Sequence, residues 1–507
     1  MRLHEPFEYH ARTAPDRPCA EDGERRLTYG EMARETDRLV NALRAEGLKP
    51  GDRFAMLSRN SADMVAGYLA ASKSGCVALP LNWRLAPGEW KQILTQGGAK
   101  LVIAQDEFVD AFAKTGLDLP VFPGKSYRAW LDAQPDRATA ADGGDDTVLY
   151  QMYTSGTTGE PKGALLTHYA VLNNSLQTLP VFEHRFGQRD RALFVMPMFH
   201  AGAVSFVVGT LVSGGTLVIH REFNPKTFVD ALAGGITVAN TVPAMLQMAL
   251  TSVPDVAERD YSRLKTIIYG ASPIAEETLR AAMKAFRCQF YQGYGQTETT
   301  ACLTMLNHAD HERALREKPE LLLSAGRALP GTEIRIEDPD GTVLASGDVG
   351  EIVVRGPQLM RGYWNRPEAT AATIRDGWLH TGDAGYLDDE GYLYVCDRVK
   401  DMIISGGENI YPREIENVLF DLPAVADAAV IGVPDDKFGE SVLAVIVLRA
   451  GAKLTADEVI AHCRAHLGGY KIPRRVEFAA ALPRNPSGKV LKKELRAPYW
   501  KDRRRNV

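Results

Sequence analysis

A loop rich in glycine and hydroxyl residues runs from Tyr153 to Gly163 and has the composition of an anion-binding loop. Its sequence is YTSGTTGEPKG, and it follows an apolar stretch of strand length. Glycines allow unusual backbone angles, while hydroxyls, backbone N–H groups and one lysine suit phosphate oxygens. The spacing differs from that of a Walker A loop, because no Gly-Lys-Ser/Thr follows at the required distance. We predict a phosphate cradle formed by these residues: Thr154, Ser155, Gly156, Thr157, Thr158, Gly159 and Lys162.

Four other segments form a set with this loop. They are QGYGQTE at 292–298, HTGD at 380–383, DRVKD at 397–401 followed by SGGEN at 405–409, and PRNPSGK at 483–489. In content and order the set resembles the adenylate-forming superfamily, which comprises acyl-CoA synthetases, firefly luciferases and the adenylation domains of peptide synthetases. The N-terminal region is similar to these proteins as well, so the resemblance covers essentially the whole chain.

The resemblance implies an ATP site in which adenine lies in a slot between two walls. Tyr294 would offer a flat aromatic face to the base. The two walls are formed by Gly270, Ala271 and Ser272 and by Gln292, Gly293, Tyr294 and Gly295.

Polar residues around the nucleotide take further roles by the same resemblance. Thr297 would reach a phosphate oxygen, and Glu298 would hold Mg²⁺, which prefers carboxylate and phosphate oxygens. Asp383 matches the acceptor of the ribose hydroxyls, and Arg398 resembles the residue that fixes ribose and phosphate.

Lys489 resembles the lysine that serves adenylation in this superfamily. A carboxylate that attacks the α-phosphate meets a second anion, and an ammonium group that bridges both stabilises the transition state. The alternative is an exposed lysine in a basic tail. The surrounding frame, Pro-Arg-Asn-Pro-Ser-Gly-Lys, favours the catalytic role.

His200 follows an apolar run in the sequence Pro-Met-Phe-His. A lone histidine in such a place is usually a core or turn residue. In the acyl and aryl branches of the superfamily, however, a histidine here gates the acyl pocket, whereas amino-acid-activating relatives carry an aspartate. The small residues after it predict an open apolar pocket, and the predicted pocket residues are His200, Ala201, Gly202, Gly270 and Gly295.

Apolar runs of strand length alternate with longer helical patterns as far as about residue 324, which is typical of parallel sheets covered by helices. Acidic glycine turns between short runs then predict a small antiparallel barrel at about 324–397. We therefore expect an α/β fold with a large N-terminal domain, 1–399, made of two α/β subdomains and this barrel. A small mobile α+β lid, 401–507, would follow. By resemblance, Lys400 is the hinge, and the lid would present Gly406, Gly407 and Glu408 to coenzyme A.

Composition excludes several classes of protein. The apolar fraction of 45% and the charged fraction of 24% are those of a globular protein, and the net charge of −5 argues against nucleic-acid binding. The segment from 464 to the end carries 13 Lys and Arg against three Asp and Glu, which suits a polyanion such as the phosphorylated head of coenzyme A. The six cysteines form no CxxC pair and the N-terminus has no signal-peptide pattern, so we predict a cytoplasmic protein.

The resemblance implies an AMP-forming ligase that joins a medium- or long-chain fatty acid to coenzyme A through an acyl-adenylate, with ATP and Mg²⁺. An aryl-CoA ligase for a coumarate, ferulate or benzoate is the main alternative. A luciferase-like oxygenase and a non-catalytic nucleotide-binding protein also stay open, and retention of Lys489, Glu298 and Asp383 argues against the latter. We expect small-molecule partners, no nucleic acid, no transmembrane segment, peripheral membrane contact as an option, and a monomer or homodimer.

Overall fold

The computed structural model describes residues 1–154, 160–271, 274, 276–398, 401–405, 408–435, 437–484 and 490–501, without the side chains of 397, 398, 408 and 409. The chain divides into two compact units. The first comprises Met1–Glu333 and Arg355–Leu379, and the second comprises Ile334–Val354 and His380–Val507. A large N-terminal part and a smaller C-terminal part of mixed α/β structure confirm the predicted fold class.

The β-strands are numbered in chain order: β1 Pro18–Asp22, β2 Arg25–Thr28, β3 Arg53–Leu57, β4 Val77–Pro80, β5 Ala99–Ala104, β6 Val121–Pro123, β7 Val148–Thr154, β8 Lys162–Thr167, β9 Arg191–Phe194, β10 Thr216–Ile219, β11 Val238–Thr241, β12 Thr266–Gly270, β13 Gln289–Tyr294, β14 Thr304–Leu306, β15 Arg327–Ala328, β16 Glu333–Glu337, β17 Gly350–Arg355, β18 Gly362–Tyr363, β19 Ile374–Arg375, β20 Trp378–Leu387, β21 Leu393–Arg398, β22 Ile403–Ser405, β23 Glu408–Ile410, β24 Val425–Asp435, β25 Gly439–Leu448 and β26 Arg475–Phe478.

The α-helices are numbered in the same way: α1 His4–Thr13, α2 Tyr29–Ala45, α3 Ala62–Ser74, α4 Pro87–Gly97, α5 Val109–Ala113, α6 Gly124–Asp132, α7 His168–Thr178, α8 Ala201–Ser213, α9 Pro225–Ala233, α10 Pro243–Ser252, α11 Glu276–Phe286, α12 His308–Arg316, α13 Pro367–Thr373, α14 Pro412–Phe420, α15 Ala456–His466 and α16 Lys492–Arg496.

Two mainly parallel sheets form the first unit. One has nine strands in the order β15-β14-β13-β12-β11-β9-β10-β1-β2, and the other has seven in the order β18-β8-β7-β4-β3-β5-β6. The strands from β13 to β1 in the first sheet run parallel to their neighbours, as do those from β7 to β6 in the second. The carboxyl ends of parallel strands share one edge of a sheet, which is where α/β proteins hold their ligands.

Helices α3 and α8 lie in a core that both sheets share. One hydrophobic cluster contains Phe54 of β3 and Phe194 of β9 together with Met64 of α3 and Val204 of α8. Every residue of α3 except Asp63 is buried. A helix that is buried on nearly all sides must be covered on nearly all sides, so these two helices act as internal spacers between the sheets.

The stretch from 192 to 220, which contains no Asp, Glu, Lys or Arg, forms three elements. It contains most of β9, all of α8 and all of β10. Burial inside the shared core explains the absence of charge. No helix in the described part of the chain is both long and apolar enough to cross a membrane.

The predicted β-subdomain contains a five-stranded sheet, in which β17 lies between β16 and β20 and β20 also pairs with β21 and β19. Most of this sheet belongs to the second compact unit. Strand β18 differs from the expectation, because it pairs with β8 of the first unit: Tyr363 stands opposite Ala164. Residues from the predicted barrel region thereby enter the sheet that carries the glycine-rich loop.

A second sheet in the C-terminal unit has the order β23-β22-β25-β24, with β26 parallel to β25. Its long strand β24 alternates between two cores. Val430 packs with residues of α14 and α15, whereas Ile431 and Val433 pack on the other face with Leu482. A strand of a sheet with both faces covered has a continuous apolar sequence, and β25 has such a run from Val442 to Leu448.

Candidate active site

Glu298 is a buried carboxylate at the place where the carboxyl ends of β7 and β13 meet. Glu298 is only 8% exposed to solvent. The Thr154 hydroxyl at the end of β7 lies 3.4 Å from Oε1 of Glu298, and the Tyr363 hydroxyl donates to the same oxygen at 2.8 Å. The predicted phosphate loop and the predicted metal ligand are therefore neighbours, although 144 positions separate them in sequence.

Lys162 lies opposite Thr154 across the β7–β8 hairpin, so the two ends of the glycine-rich loop are paired. Its Nζ stands 5.1 Å from the centre of the Tyr363 ring. Tyr363 thus contacts both the lysine and Glu298. Sequence reasoning missed this residue, because a two-residue strand far down the chain has no recognisable pattern.

Glycines at the ends of β12 and β13 are required by close backbone contacts. A Cβ on Gly270 would lie 2.4 Å from the carbonyl oxygen of Gly293, and one on Gly295 would lie 2.1 Å from that of Ala301. Real Cβ atoms do not approach this closely, so these predicted slot residues must be glycine. Ala271, directly after β12, has a φ of +65°, which a residue with a side chain adopts only at a cost of about 1 kcal/mol.

The other predicted residues of this region lie on β13 and the turn after it. Gln292 and Tyr294 are half-buried on β13, and the Gln292 carboxamide contacts the Tyr269 hydroxyl at 3.2 Å. Thr297 begins a short 3₁₀ turn, Thr297–Thr299, that carries Glu298.

His200 immediately precedes α8 and takes an extended conformation at its N-terminus. The loop before it is fixed by Asn60, whose side chain accepts from the Met198 N–H at 2.8 Å and donates to the Met196 carbonyl at 2.9 Å. Tyr68 donates to the Met198 carbonyl at 2.7 Å. Two buried polar side chains therefore position the histidine, and neither was identified from the sequence.

The imidazole of His200 is neutral at physiological pH. Burial, assisted by the positive charge of Arg84, lowers its pKa to about 4. Its Nε2 is buried and has no hydrogen-bond partner among the residues that the structure describes. An unpaired buried polar atom is costly, and a substrate oxygen or water would satisfy it.

Helix α8 carries two glycines that face free space. A Cβ added at Gly202 or at Gly209 would meet no atom within 4 Å. Seven residues separate them, so they lie on one side of the helix about 10.5 Å apart. Ser205 of the same face contacts the Asn174 side chain at 3.3 Å, and Asn174 donates to the Cys302 carbonyl at 2.7 Å. This face of α8 is therefore turned towards the segment that follows Glu298.

Asp383 belongs to the second unit and is buried on β20. Its backbone N–H donates to the Thr381 hydroxyl at 3.1 Å, and it stands opposite Arg398 on β21. Gly382 has a φ of +68°, and its N–H donates to Glu351 at 3.0 Å. The predicted ribose acceptor and its predicted partner are thus paired on adjacent strands of one unit.

Several predicted site residues lie outside the described part of the structure. Arg398 and Glu408 are described in their backbone only. The residues that are not described are Ser155, Gly156, Thr157, Thr158, Gly159, Ser272, Lys400, Gly406, Gly407 and Lys489. The residues on either side of the Lys489 segment are paired, because Arg484 forms a bridge with Val490 and the Leu491 N–H donates to the Pro483 carbonyl at 2.8 Å.

The donor set around Glu298 fits a magnesium ion that is carried by a nucleotide. Its second oxygen, Oε2, accepts no hydrogen bond from any described group. The described residues also contain no cluster of three metal-ligating side chains. One carboxylate beside a predicted phosphate site matches Mg²⁺, which takes one or two protein carboxylates together with phosphate oxygens and water.

Two family models together match most of the chain. Residues 7–364 match the family model of the AMP-binding enzymes, and residues 414–489 match that of the C-terminal domain of AMP-binding enzymes.

Three curated relatives cover nearly the whole chain. A fatty acid–acyl-carrier-protein ligase of Streptomyces coeruleorubidus is 39% identical, and the alignment covers 100% of this chain and 99% of the relative. A feruloyl-CoA synthase of Amycolatopsis is 41% identical, and the alignment covers 96% of this chain and 97% of the relative. A long-chain fatty acid–CoA ligase of Mycobacterium tuberculosis is 38% identical, and the alignment covers 94% of this chain and 93% of the relative.

Among solved structures, ATP-bound MatB from Rhodopseudomonas palustris has a TM-score of 0.89 at 31% identity, with 99% of each chain covered.

Replacing Glu298 with glutamine should raise the Mg²⁺ concentration needed for half-maximal nucleotide turnover by about tenfold or more, because the predicted metal ligand would lose its charge. The fold should survive, since the amide oxygen can still accept from Tyr363 and Thr154. The measurement is ATP–pyrophosphate exchange across a Mg²⁺ titration, together with thermal melting. Tyr363→Phe is the control, because it removes the hydrogen bond and keeps the charge. An unchanged Mg²⁺ requirement with a sharply lowered melting temperature would make Glu298 a structural residue.

Proposed function

The chain belongs to the AMP-binding enzyme family and is an acid–thiol ligase, and from this premise we propose that it joins a medium- or long-chain fatty acid to coenzyme A through an acyl-adenylate. ATP and the fatty acid would first give acyl-AMP and pyrophosphate. The thiol of coenzyme A would then attack the acyl carbonyl and release AMP. The observation that carries the fatty-acid assignment is the free space beside Gly202 and Gly209 on α8.

The length of that space argues for an extended chain. Free volume at two points about 10.5 Å apart on one helix face can take an alkyl chain along its length, whereas a single aromatic ring reaches only the nearer point. The helix has no charged residue, and its buried residues are mainly apolar, so each methylene group that leaves water to lie against it would contribute about 0.8 kcal/mol to binding. His200 stands at the N-terminal end of α8, where the carboxylate would lie.

The neutral His200 suits a role in orienting this carboxylate. With a pKa lowered to about 4, the ring carries a single N–H above that pH and can donate one hydrogen bond. The N-terminus of α8 adds the partial positive charge of a helix end. Together they would hold the carboxylate while its other oxygen attacks the α-phosphate.

The nucleotide would lie at the carboxyl ends of β7, β12 and β13. Thr154, Lys162 and the loop between them would bind the β- and γ-phosphates, and Gly270, Ala271 and Gln292 would line the adenine slot. Mg²⁺, held by Glu298, would neutralise charge on the phosphates. Asp383 and Arg398 would bind the ribose.

We assign the two half-reactions to two positions of a C-terminal lid, 401–507, which turns about Lys400. One position brings Lys489 to the α-phosphate, where its ammonium group would stabilise the transition state. The other presents the segment of Gly406, Gly407 and Glu408 to coenzyme A. All six cysteines are free, which is consistent with a reducing compartment such as the cytoplasm.

An aryl acid is the second candidate substrate. The feruloyl-CoA synthase of Amycolatopsis is as similar to this chain as the fatty-acid ligases are. A carrier-protein thiol is a second candidate acceptor, by similarity to the Streptomyces coeruleorubidus ligase. Assays with both classes of acid and both acceptors separate these alternatives.

Lys489→Ala should lower the rate of adenylation by about 10²- to 10³-fold, the scale for loss of one charged partner of a transition state. It should leave thioester formation from supplied acyl-AMP within about twofold of the wild type. Carboxylate-dependent pyrophosphate exchange measures the first step, and single-turnover acyl transfer measures the second.

Lys493→Ala is the matched control for this experiment, because Lys493 is an exposed lysine of α16 just beyond the same segment. It should leave both steps unchanged. Equal loss of the two steps in Lys489→Ala would contradict a role confined to adenylation.

Filling the space beside α8 should shorten the accepted fatty acid in a graded way. Gly202→Trp obstructs the pocket near His200 and should abolish turnover of medium and long chains. Gly209→Leu obstructs it farther along and should remove only the long chains. The measurement is kcat/KM for saturated fatty acids of increasing length.

Gly88→Trp is the control for these variants. Gly88 is also a helix residue at which an added Cβ would meet no atom within 4 Å, but it lies exposed on α4. Its chain-length profile should match the wild type. If both α8 variants keep the wild-type profile while remaining folded, the acyl chain does not lie along this face.

A further inference from the structure

Behind Gln292, a chain of hydrogen bonds connects three elements of the first unit. The Tyr269 hydroxyl lies 3.2 Å from the Gln292 carboxamide and 2.8 Å from Nε2 of His311. The other ring nitrogen of His311, Nδ1, lies 2.7 Å from the backbone carbonyl oxygen of Asn307. Tyr269 and Gln292 are direct partners on the parallel strands β12 and β13, so their side chains share one face of the sheet.

The Asn307 carbonyl determines which nitrogen of His311 carries the proton. A carbonyl oxygen can only accept, so at 2.7 Å it requires an N–H on Nδ1. His311 is fully buried, and burial lowers its pKa to about 4, so the ring has only this one N–H at neutral pH. Nε2 therefore carries a lone pair, and the Tyr269 hydroxyl must donate its hydrogen to it.

This assignment fixes the orientation of the Gln292 carboxamide. The Tyr269 hydroxyl has a single hydrogen, which it gives to His311, so towards Gln292 it can only accept. The group of Gln292 beside Tyr269 must then be the NH₂. The nitrogen and oxygen of a carboxamide exchange places on a half-turn, and the hydrogen-bond network decides between the two positions. With NH₂ on Tyr269, the carbonyl oxygen of Gln292 is directed away from Tyr269.

We propose that Tyr269 and His311 are positioning residues that make Gln292 present a hydrogen-bond acceptor to the nucleobase and so select a 6-aminopurine over a 6-oxopurine. The inference rests on the proposed adenine slot. The exocyclic amino group of adenine donates to such an oxygen, whereas the 6-oxo group of hypoxanthine or guanine would place two acceptors against each other. No described residue bonds the far atom of the Gln292 carboxamide, so that atom is available to a ligand.

The test compares ATP with inosine triphosphate, which differs at the 6-position of the purine. We expect the wild-type enzyme to favour ATP in kcat/KM. Tyr269→Phe keeps the ring but frees Gln292 to rotate, and the ATP preference should fall about tenfold, the value of roughly one hydrogen bond. The change should appear mainly in the KM for nucleotide, and the KM for the carboxylate should not move.

The same network predicts a larger change in nucleotide preference for His311→Leu. Without the imidazole, the Tyr269 hydroxyl is free to donate to the oxygen of Gln292, which turns the NH₂ towards the base. The preference should then shift further towards inosine triphosphate than in Tyr269→Phe. A loss of stability alone would lower both nucleotides' turnover together and leave their ratio unchanged.

Tyr150→Phe is the control, because the Tyr150 hydroxyl is fully buried and has no hydrogen-bond partner among the described residues. Its nucleotide ratio should equal that of the wild type. Gln292→Leu tests the slot itself and should abolish most of the preference.

If Gln292→Leu lowers the ratio and Tyr269→Phe does not, the positioning role is wrong while the slot stands. If neither variant changes the ratio, both the positioning role and the assignment of Gln292 to the adenine slot are overturned.

Discussion

The buried charge of Glu298 is the constraint on which the site depends. A carboxylate that is only 8% exposed is stable only with hydrogen-bond donors or a cation nearby. Its described donors, the hydroxyls of Thr154 and Tyr363, come from different strands of the seven-stranded sheet, whereas Glu298 itself follows a strand of the nine-stranded sheet. The two sheets must therefore keep a fixed separation at this edge for the carboxylate to be satisfied.

Helices α3 and α8 provide that separation. Each is buried over most of its circumference and contributes to the core that both sheets share. The same helix α8 presents His200 at its N-terminus and two glycines along one face. A single helix thus serves as a spacer for the fold and as the proposed wall of the acyl pocket, which explains why it combines bulky residues with glycines seven positions apart.

Much of the fold was predictable from the sequence, because buried parallel strands are short apolar runs. The segments Arg53–Leu57 (RFAML) and Thr216–Ile219 (TLVI) are examples, because each is mainly apolar and forms a strand. The strand β24 was missed, since its alanines, Gly432 and Pro434 weaken the apolar pattern. Glu298 was singled out by resemblance to the superfamily and the loop that begins at Thr154 by its composition, and the two residues do meet in the structure.

The supporting residues could not be predicted, because their partners are distant in sequence and follow no period. Tyr363 reaches Glu298 from a two-residue strand, and His311 reaches Tyr269 across 42 positions. Asn60 holds the loop before His200 from the start of another helix. Such residues are defined by tertiary contacts alone, so the sequence indicates the residues that we propose for the chemistry, and the structure identifies their neighbours.

The most direct test of the account is AMP release by the wild-type protein with ATP, Mg²⁺ and coenzyme A, measured across saturated fatty acids and the aryl acids ferulate, benzoate and indoleacetate. Parallel reactions should replace coenzyme A with a pantetheinylated carrier protein. We expect release that requires both a carboxylate and coenzyme A and that is fastest with a medium- or long-chain fatty acid. Faster AMP release with an aryl acid than with a fatty acid would contradict the proposed substrate. AMP release that the carrier protein stimulates and coenzyme A does not would contradict the proposed acceptor.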